Sequence, residues 1–268
     1  MRDFFFIRYV DDRPHIRLRF YNTDSAKQTD LMIKFNILLN SLYNEKYIDS
    51  VAIDSYVQET QRYNPVPIDV AECLFNYDSL AVLEIISLLK GPDSELNKIA
   101  IAIRSVDMYL DDFRFSIEEK YLFIKNHANS FFNEFGAATK LKTQLNQKFK
   151  DNQKDLIPDI DSLYTVPKKL EAPLNQLKVR SSLNQQHISR ILEVLGQDNN
   201  LKMEIVSNFI HLSFNRMFFA NQRKYELMVY TFIERFYHSF LARKKNYGMT
   251  SEGQMNKYLT TTMNIIGS

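Results

Sequence analysis

From His15 to Phe20 hydrophobic and polar positions alternate with a period of two, after a run of aromatic and aliphatic residues at Phe4–Ile7. The runs Phe4-Phe5-Phe6-Ile7-Arg8-Tyr9 and His15-Ile16-Arg17-Leu18-Arg19-Phe20 are aromatic and β-branched, and Val10-Asp11-Asp12-Arg13-Pro14 between them supplies turn chemistry. Two strands joined by a turn are expected. In the second strand Ile16, Leu18 and Phe20 share one face, which is expected to enter a core, and His15, Arg17 and Arg19 share the other. Asn22-Thr23-Asp24-Ser25 then offers helix N-caps, and Leu31, Phe35, Leu38 and Leu42 fall on one helical stripe. From Tyr47 to Glu59 the two-fold pattern returns, with Val51, Ile53, Ser55 and Val57 opposite Ala52, Asp54, Tyr56 and Gln58. A third strand is expected there, running into Glu59-Thr60-Gln61-Arg62-Tyr63 and stopped by the prolines of Asn64-Pro65-Val66-Pro67.

Beyond Asp69 the period changes to 3.6 residues. Helices are expected near Val70–Leu89, Glu95–Asp111, Ser116–Phe135 and Ala137–Lys154, punctuated by Gly91-Pro92, Asp111-Asp112 and Gly136, with Ser116-Ile117-Glu118-Glu119 in capping-box form. Asp151–Pro173 holds three prolines without clear period and reads as a loop. Helices follow over Leu174–Leu195, Leu201–Ala220 and Gln222–Lys245, and the polar tail after Tyr247 reads as frayed. The pattern amounts to an α+β fold in which a small antiparallel sheet near the N-terminus packs against a mostly helical remainder. The sheet-rich part covers 1–68, the helical part 69–247 and the tail 248–268, within a single domain over 1–268.

Composition narrows the function classes. The 34 basic and 32 acidic residues nearly cancel, so no overall field favours nucleic acid or an anionic membrane, and any cationic site must be local. No stretch reads as a transmembrane segment or signal peptide, so a cytoplasmic location is expected. The single cysteine, Cys73, sits in an apolar helical context and reads as a small core residue. Only 6 glycines, with no phosphate-loop motif, argue against nucleotide binding. The 5 histidines lack metal-ligand spacing, so no metal is expected.

Three places carry candidate chemistry. A strand spaces Arg17 and Arg19 roughly 6.5 to 7 Å apart, a row that repels itself unless something negative covers it. It is either a solvated face or a floor for carboxylates, which paired guanidinium hydrogen bonds hold well. Glu59 and Arg62 beside a proline loop are either chemistry or an ion-paired loop. On the helix Leu201–Ala220, apolar over most of its circumference, Glu204, Asn208, His211 and Asn215 form a narrow polar stripe, and the adjoining Arg216 would be costly to bury without a partner. A histidine there is either a structural hydrogen-bonding residue or a group for proton transfer.

Four stretches coincide with a known pattern. They are Phe5–Tyr9 with the His15–Phe20 strand, Tyr56-Val57-Gln58-Glu59-Thr60-Gln61-Arg62-Tyr63, Ala71–Ser79, and His211 with Asn215-Arg216. In this order they resemble the C-terminal elimination domain of lantibiotic dehydratases, also known as the thiopeptide-type bacteriocin biosynthesis domain. The resemblance covers nearly the whole chain. It implies a stand-alone lyase that expels glutamate from glutamylated Ser or Thr of a ribosomally made precursor peptide, leaving dehydroalanine or dehydrobutyrine. It implies Arg17, Arg19, Arg62 and His211 as catalytic residues and His15, Glu59, Asn215 and Arg216 as substrate-binding residues. Imidazole is the side chain that ordinarily titrates near neutral pH, which suits proton transfer.

No cofactor is expected. The partners implied are the glutamylated precursor peptide, a separate glutamyl-tRNA-dependent glutamylating enzyme and a cyclase, with no direct contact to nucleic acid. Two other readings stay open: a pyridine-forming cycloaddition enzyme of thiopeptide pathways, and a non-catalytic peptide-binding subunit. Relative to the family pattern the chain is N-terminally short, beginning three residues before Phe4, and Asn64-Pro65 replaces a common glycine pair.

Overall fold

The protein is represented by a computed structural model that describes residues 4–10, 13–21, 24–136 and 139–247. Strands β1 (Phe4–Val10) and β2 (Pro14–Phe20) pair antiparallel, placing Phe5 opposite Arg19, Ile7 opposite Arg17 and Tyr9 opposite His15. Helices follow as α1 (Ser25–Asn44), α2 (Thr60–Tyr63), α3 (Ile68–Leu88), α4 (Ser94–Asp112), α5 (Ile117–Glu134) and α6 (Thr139–Leu156). A 3-10 turn at Lys168–Leu170 leads to α7 (Glu171–Leu195), α8 (Asn199–Met217) and α9 (Gln222–Tyr247). The expected α+β architecture is present.

The chain divides into two compact units, the described residues of Met1–Arg114 with Lys168–Glu226, and those of Phe115–Pro167 with Leu227–Ser268. In the second unit the expected capping box forms at the start of α5: Ser116 Oγ accepts from the Glu119 amide at 3.2 Å, and Glu119 Oε2 accepts from the Ser116 amide at 2.7 Å. Its core rings include Phe123, Phe131, Tyr230 and Phe232.

In the first unit α3 and α4 each pack against α7 and α8, and β1 rests on α3 and α8. A buried polar cluster joins these elements. Asp78 Oδ1 accepts from Arg180 Nη1 at 2.9 Å, Tyr109 at 3.1 Å and Ser213 at 2.9 Å, while Oδ2 accepts from Arg216 Nη1 at 2.9 Å. Arg216 Nε donates to the Phe6 carbonyl at 2.8 Å, so the cluster reaches from α3, α4, α7 and α8 into the strand. Burial opposes the charge on Arg180, yet Tyr109, Asp78 and Asp112 together raise its pKa. The guanidinium of Arg180 also lies 3.9 Å over the Tyr109 ring. Removing one partner from such a group typically costs about 3–5 kcal/mol, because it strands a buried charge. This cluster fixes the strand relative to α8.

Side chains occupy the far edge of β1: Asn76 Nδ2 donates to the Phe4 carbonyl at 2.6 Å, and the Phe6 amide donates to Ser79 Oγ at 3.3 Å. That makes β1 the inner strand and corrects one expectation. Ile16, Leu18 and Phe20 do not enter a core; they are 56%, 39% and 43% exposed, while His15, Arg17 and Arg19 are half-buried. The guanidinium groups turn inward because aromatic rings meet them there, Tyr9 beneath Arg17 and Tyr56 beneath Arg19.

Other expectations shift for identifiable reasons. The expected third strand, Tyr47–Glu59, is not a strand: no ladder partner pairs with it among the described residues. One side of it still faces the protein, since Gln58 Nε2 donates to Glu72 Oε1 at 2.9 Å and Tyr56 packs edge-on against Phe5. Arg62 consequently sits on the one-turn helix α2, not at a strand end. On α1 the half-buried stripe is Leu31, Phe35, Leu39 and Leu42, with Leu38 exposed. The expected loop Asp151–Pro173 shrinks at both ends, since α6 continues to Leu156 and α7 begins at Glu171. Pro173 is accommodated in the first turn of α7, where its missing N–H would have had no helical partner. The tail expected to fray after Tyr247 lies outside the described residues.

Candidate active site

The inward face of the sheet is a row of aromatic and basic side chains. Arg17 lies 4.1 Å over the Tyr9 ring, and its Nε donates to His15 Nε2 at 3.0 Å. His15 therefore accepts at Nε2, and its Nδ1, 3.0 Å from the Arg13 carbonyl, is the donor. Arg19 lies 5.1 Å over the Tyr56 ring and lines a cleft of about 250 Å³ together with Tyr56, Gln58 and Glu72. Burial, followed by the Glu72 carboxylate that accepts its hydroxyl and by Glu59, pushes the Tyr56 phenol pKa up.

The next stretch of chain carries the cations toward α8. Arg62 Nη1 lies 3.4 Å from Glu59 Oε2, and Arg62 Nε donates to Asn208 Oδ1 at 3.0 Å. The exposed ion pair contributes little stability. Its consequence is orientation, since Arg62 is held at both ends. The neighbouring Tyr63 is the anchor beneath: it is buried against Phe75 and Phe209, and its hydroxyl has no hydrogen-bond partner among the described residues.

Helix α8 exposes the stripe read from its sequence. Glu204 is exposed and Asn208, His211 and Asn215 are half-buried, while the residues between them are largely buried. His211 lies one turn beyond Asn208. Its Nδ1 is 2.7 Å from Glu226 Oε1, with the imidazole 26% exposed and the carboxylate 3% exposed. Its Nε2 is 3.3 Å from Asn215 Nδ2. A carboxylate on one ring nitrogen fixes the tautomer, so Nδ1 carries the hydrogen and Nε2 keeps its lone pair. That is the arrangement of a general base oriented by a buried acid.

The eight residues expected at a site thus fall into four settings. His15 and Arg17 form one pair on the strand, and Arg19 faces the cleft. Glu59 and Arg62 are joined to Asn208 of α8, and His211 and Asn215 contact each other beginning one turn further along the same helix. Arg216 stands apart, 1% exposed and paired with Asp78 in the core; it holds β1 in place and does not face the cleft. Two acidic residues emerge only from the structure, Glu226 behind His211 and Glu72 in the cleft wall. No periodic signal marks Glu226, which lies on α9, fifteen residues and one helix away from its partner. Glu72 was inside a recognised stretch, but its role depends on a contact with Gln58. Among the described residues no group of three or more His, Cys, Asp or Glu side chains could hold a metal ion, and no helix is long and apolar enough to cross a membrane.

Known proteins share this architecture. Over 234 residues the chain is 24% identical to the nisin biosynthesis protein NisB of Lactococcus lactis subsp. lactis, covering 85% of this chain and 21% of NisB. Over 135 residues it is 34% identical to the subtilin biosynthesis protein SpaB of Bacillus subtilis, covering 49% of this chain and 12% of SpaB. The crystal structure of the tRNA-dependent lantibiotic dehydratase MibB from Microbispora sp. 107891 superposes with a TM-score of 0.65 at 16% identity, over 87% of this chain and 24% of that one. The chain therefore spans at most about a fifth of the curated relatives' length in these matches. Residues 1–237 match the family described as lantibiotic biosynthesis dehydratase C-term, and the chain belongs to that family.

Proposed function

We propose that the protein is a lyase that expels glutamate from glutamylated Ser or Thr side chains of a ribosomally made peptide. The reaction removes the peptide α-proton, forms the Cα=Cβ double bond and breaks the Cβ–O bond, and glutamate departs as a carboxylate with the electron pair. Such chemistry needs a base at Cα, positive charge for the enolate-like oxygen and a place for an acidic leaving group. The observation that carries the reading is the linked set Glu59–Arg62–Asn208 one turn from the His211–Glu226 pair. His211 Nε2 takes the proton, and Glu226 stabilises the imidazolium that results. Arg62 stabilises developing charge on the peptide, and Arg19 holds the glutamyl carboxylate from the sheet. Arg17, with its guanidinium on Tyr9 and its Nε on His15, adds positive potential along the same strand face.

The companion proposal follows from the share of the relatives that this chain spans. Glutamylation, from glutamyl-tRNA, is assigned to a polypeptide portion corresponding to the remainder of those relatives. In a reaction reconstituted with a glutamylating enzyme and precursor peptide, Arg19→Ala or His211→Ala is expected to accumulate the glutamylated peptide. Dehydrated product formed at the parent rate by both variants would refute the assignment of these residues.

A further inference from the structure

The cleft beside Arg19 contains a feature that expulsion of glutamate does not itself require. Its wall carries a carboxylate as well as a guanidinium. Glu72 is 4% exposed. It is held at the cleft by Gln58 Nε2 at 2.9 Å and by the Tyr56 hydroxyl. At the same cleft Arg19 lies 5.1 Å over the Tyr56 ring, and Phe5 packs edge-on against that tyrosine. Tyr56 thus keeps the two opposite charges in fixed positions on one aromatic support. The volume, about 250 Å³, is below the roughly 300–1,000 Å³ of pockets that take drug-sized molecules.

We infer that this cleft is a subsite for the two opposite charges of a glutamyl ester, with Arg19 taking the side-chain carboxylate and Glu72 taking the α-ammonium. The inference rests on the function proposed above and deepens it. Glutamate esterified through its α-carboxyl group still carries a free ammonium and a free side-chain carboxylate, and these two charges match the two on the cleft wall. Glu72 also makes the cleft a poor site for a dianion, because a buried carboxylate repels it. With Glu72 present, the ammonium becomes a condition for binding, and a dicarboxylate lacking it is rejected. Glu72 is then a specificity residue that distinguishes an aminoacyl ester from a simple acyl ester.

The test compares L-glutamate with glutarate, which has the same two carboxylates and no ammonium. Binding to the full chain is measured by calorimetry or by NMR titration at neutral pH. The wild-type protein should prefer glutamate by about tenfold or more, as expected when a charge pair forms in a partly desolvated cleft. Glu72→Gln keeps the shape and an acceptor for Gln58, and it should reduce the preference to about threefold or less, with glutarate bound at least as well as before. A wild-type protein that prefers glutamate by less than about tenfold, prefers glutarate, or binds neither overturns the inference, as does a Glu72→Gln protein that keeps a preference above about threefold. If glutamate is preferred but a glutamylated peptide is never converted, the subsite stands and the lyase reading falls. Conversion without that preference has the opposite meaning.

Discussion

Replacing Asp78 by Asn tests the cluster that joins β1 to α8. The side chain keeps its shape but loses its charge, and two guanidinium groups buried to 1% exposure or less lose their counter-ion. One oxygen can still accept from Arg180, Tyr109 and Ser213. The amide nitrogen then faces Arg216 Nη1, placing donor against donor where a 2.9 Å ion pair stood. Breaking one side of a buried ion pair costs about 3–5 kcal/mol, whereas losing a neutral hydrogen bond, as in Ser213→Ala, costs about 1 kcal/mol. With a urea m-value of about 2–3 kcal/mol/M, Asp78→Asn should lower the unfolding midpoint by about 1–2 M and Ser213→Ala by less than about 0.5 M. Circular dichroism during urea titration supplies the measurement. If the two variants are equally stable, or Asp78→Asn loses less than about 1 kcal/mol, the cluster does not hold the strand as described.

Three further outcomes follow from single contacts. Glu226→Gln should lower turnover of a glutamylated peptide by at least about 100-fold and up to about 10⁴-fold, because the amide behind the imidazole favours the wrong tautomer. Adding it to His211→Ala should cause no further loss in that steady-state assay. Tyr63→Phe removes a buried hydroxyl that has no partner among the described residues, so thermal unfolding should show stability unchanged or raised by about 1 kcal/mol; a large loss would mean that the hydroxyl is bonded. Leu18→Asn should cost no more than about 0.5 kcal/mol, because Leu18 is 39% exposed; a buried leucine would lose about 2–5 kcal/mol on truncation, and denaturant titration distinguishes the two.

Much of this architecture was legible in local pattern. The 3.6-residue period located the long helices, and the Ser116–Glu119 capping box began α5 where its spacing required. The polar stripe on α8 emerged as read, because a single helix fixes which residues share a face. What failed depended on partners distant in sequence. The alternation in β2 showed its two faces but not which of them turns inward. That choice depended on Tyr56, some forty residues away, and on side chains of α3 and α8 occupying the far edge of β1. Residues 51–57 alternate like a strand, yet alternation supplies no partner to pair with. Arg216 was read as a site residue beside His211, and its side chain instead points to Asp78, a direction that adjacency in sequence does not encode. Glu226 and Glu72 had no local signal, since each matters through one contact across the fold.

The mass of a peptide after incubation with this protein alone is the most direct test of glutamate expulsion. A precursor peptide already glutamylated on Ser or Thr should lose the glutamyl group as free glutamate, leaving an alkene at that position. A peptide returned with its glutamyl groups intact, or hydrolysed back to the parent alcohol, would contradict it.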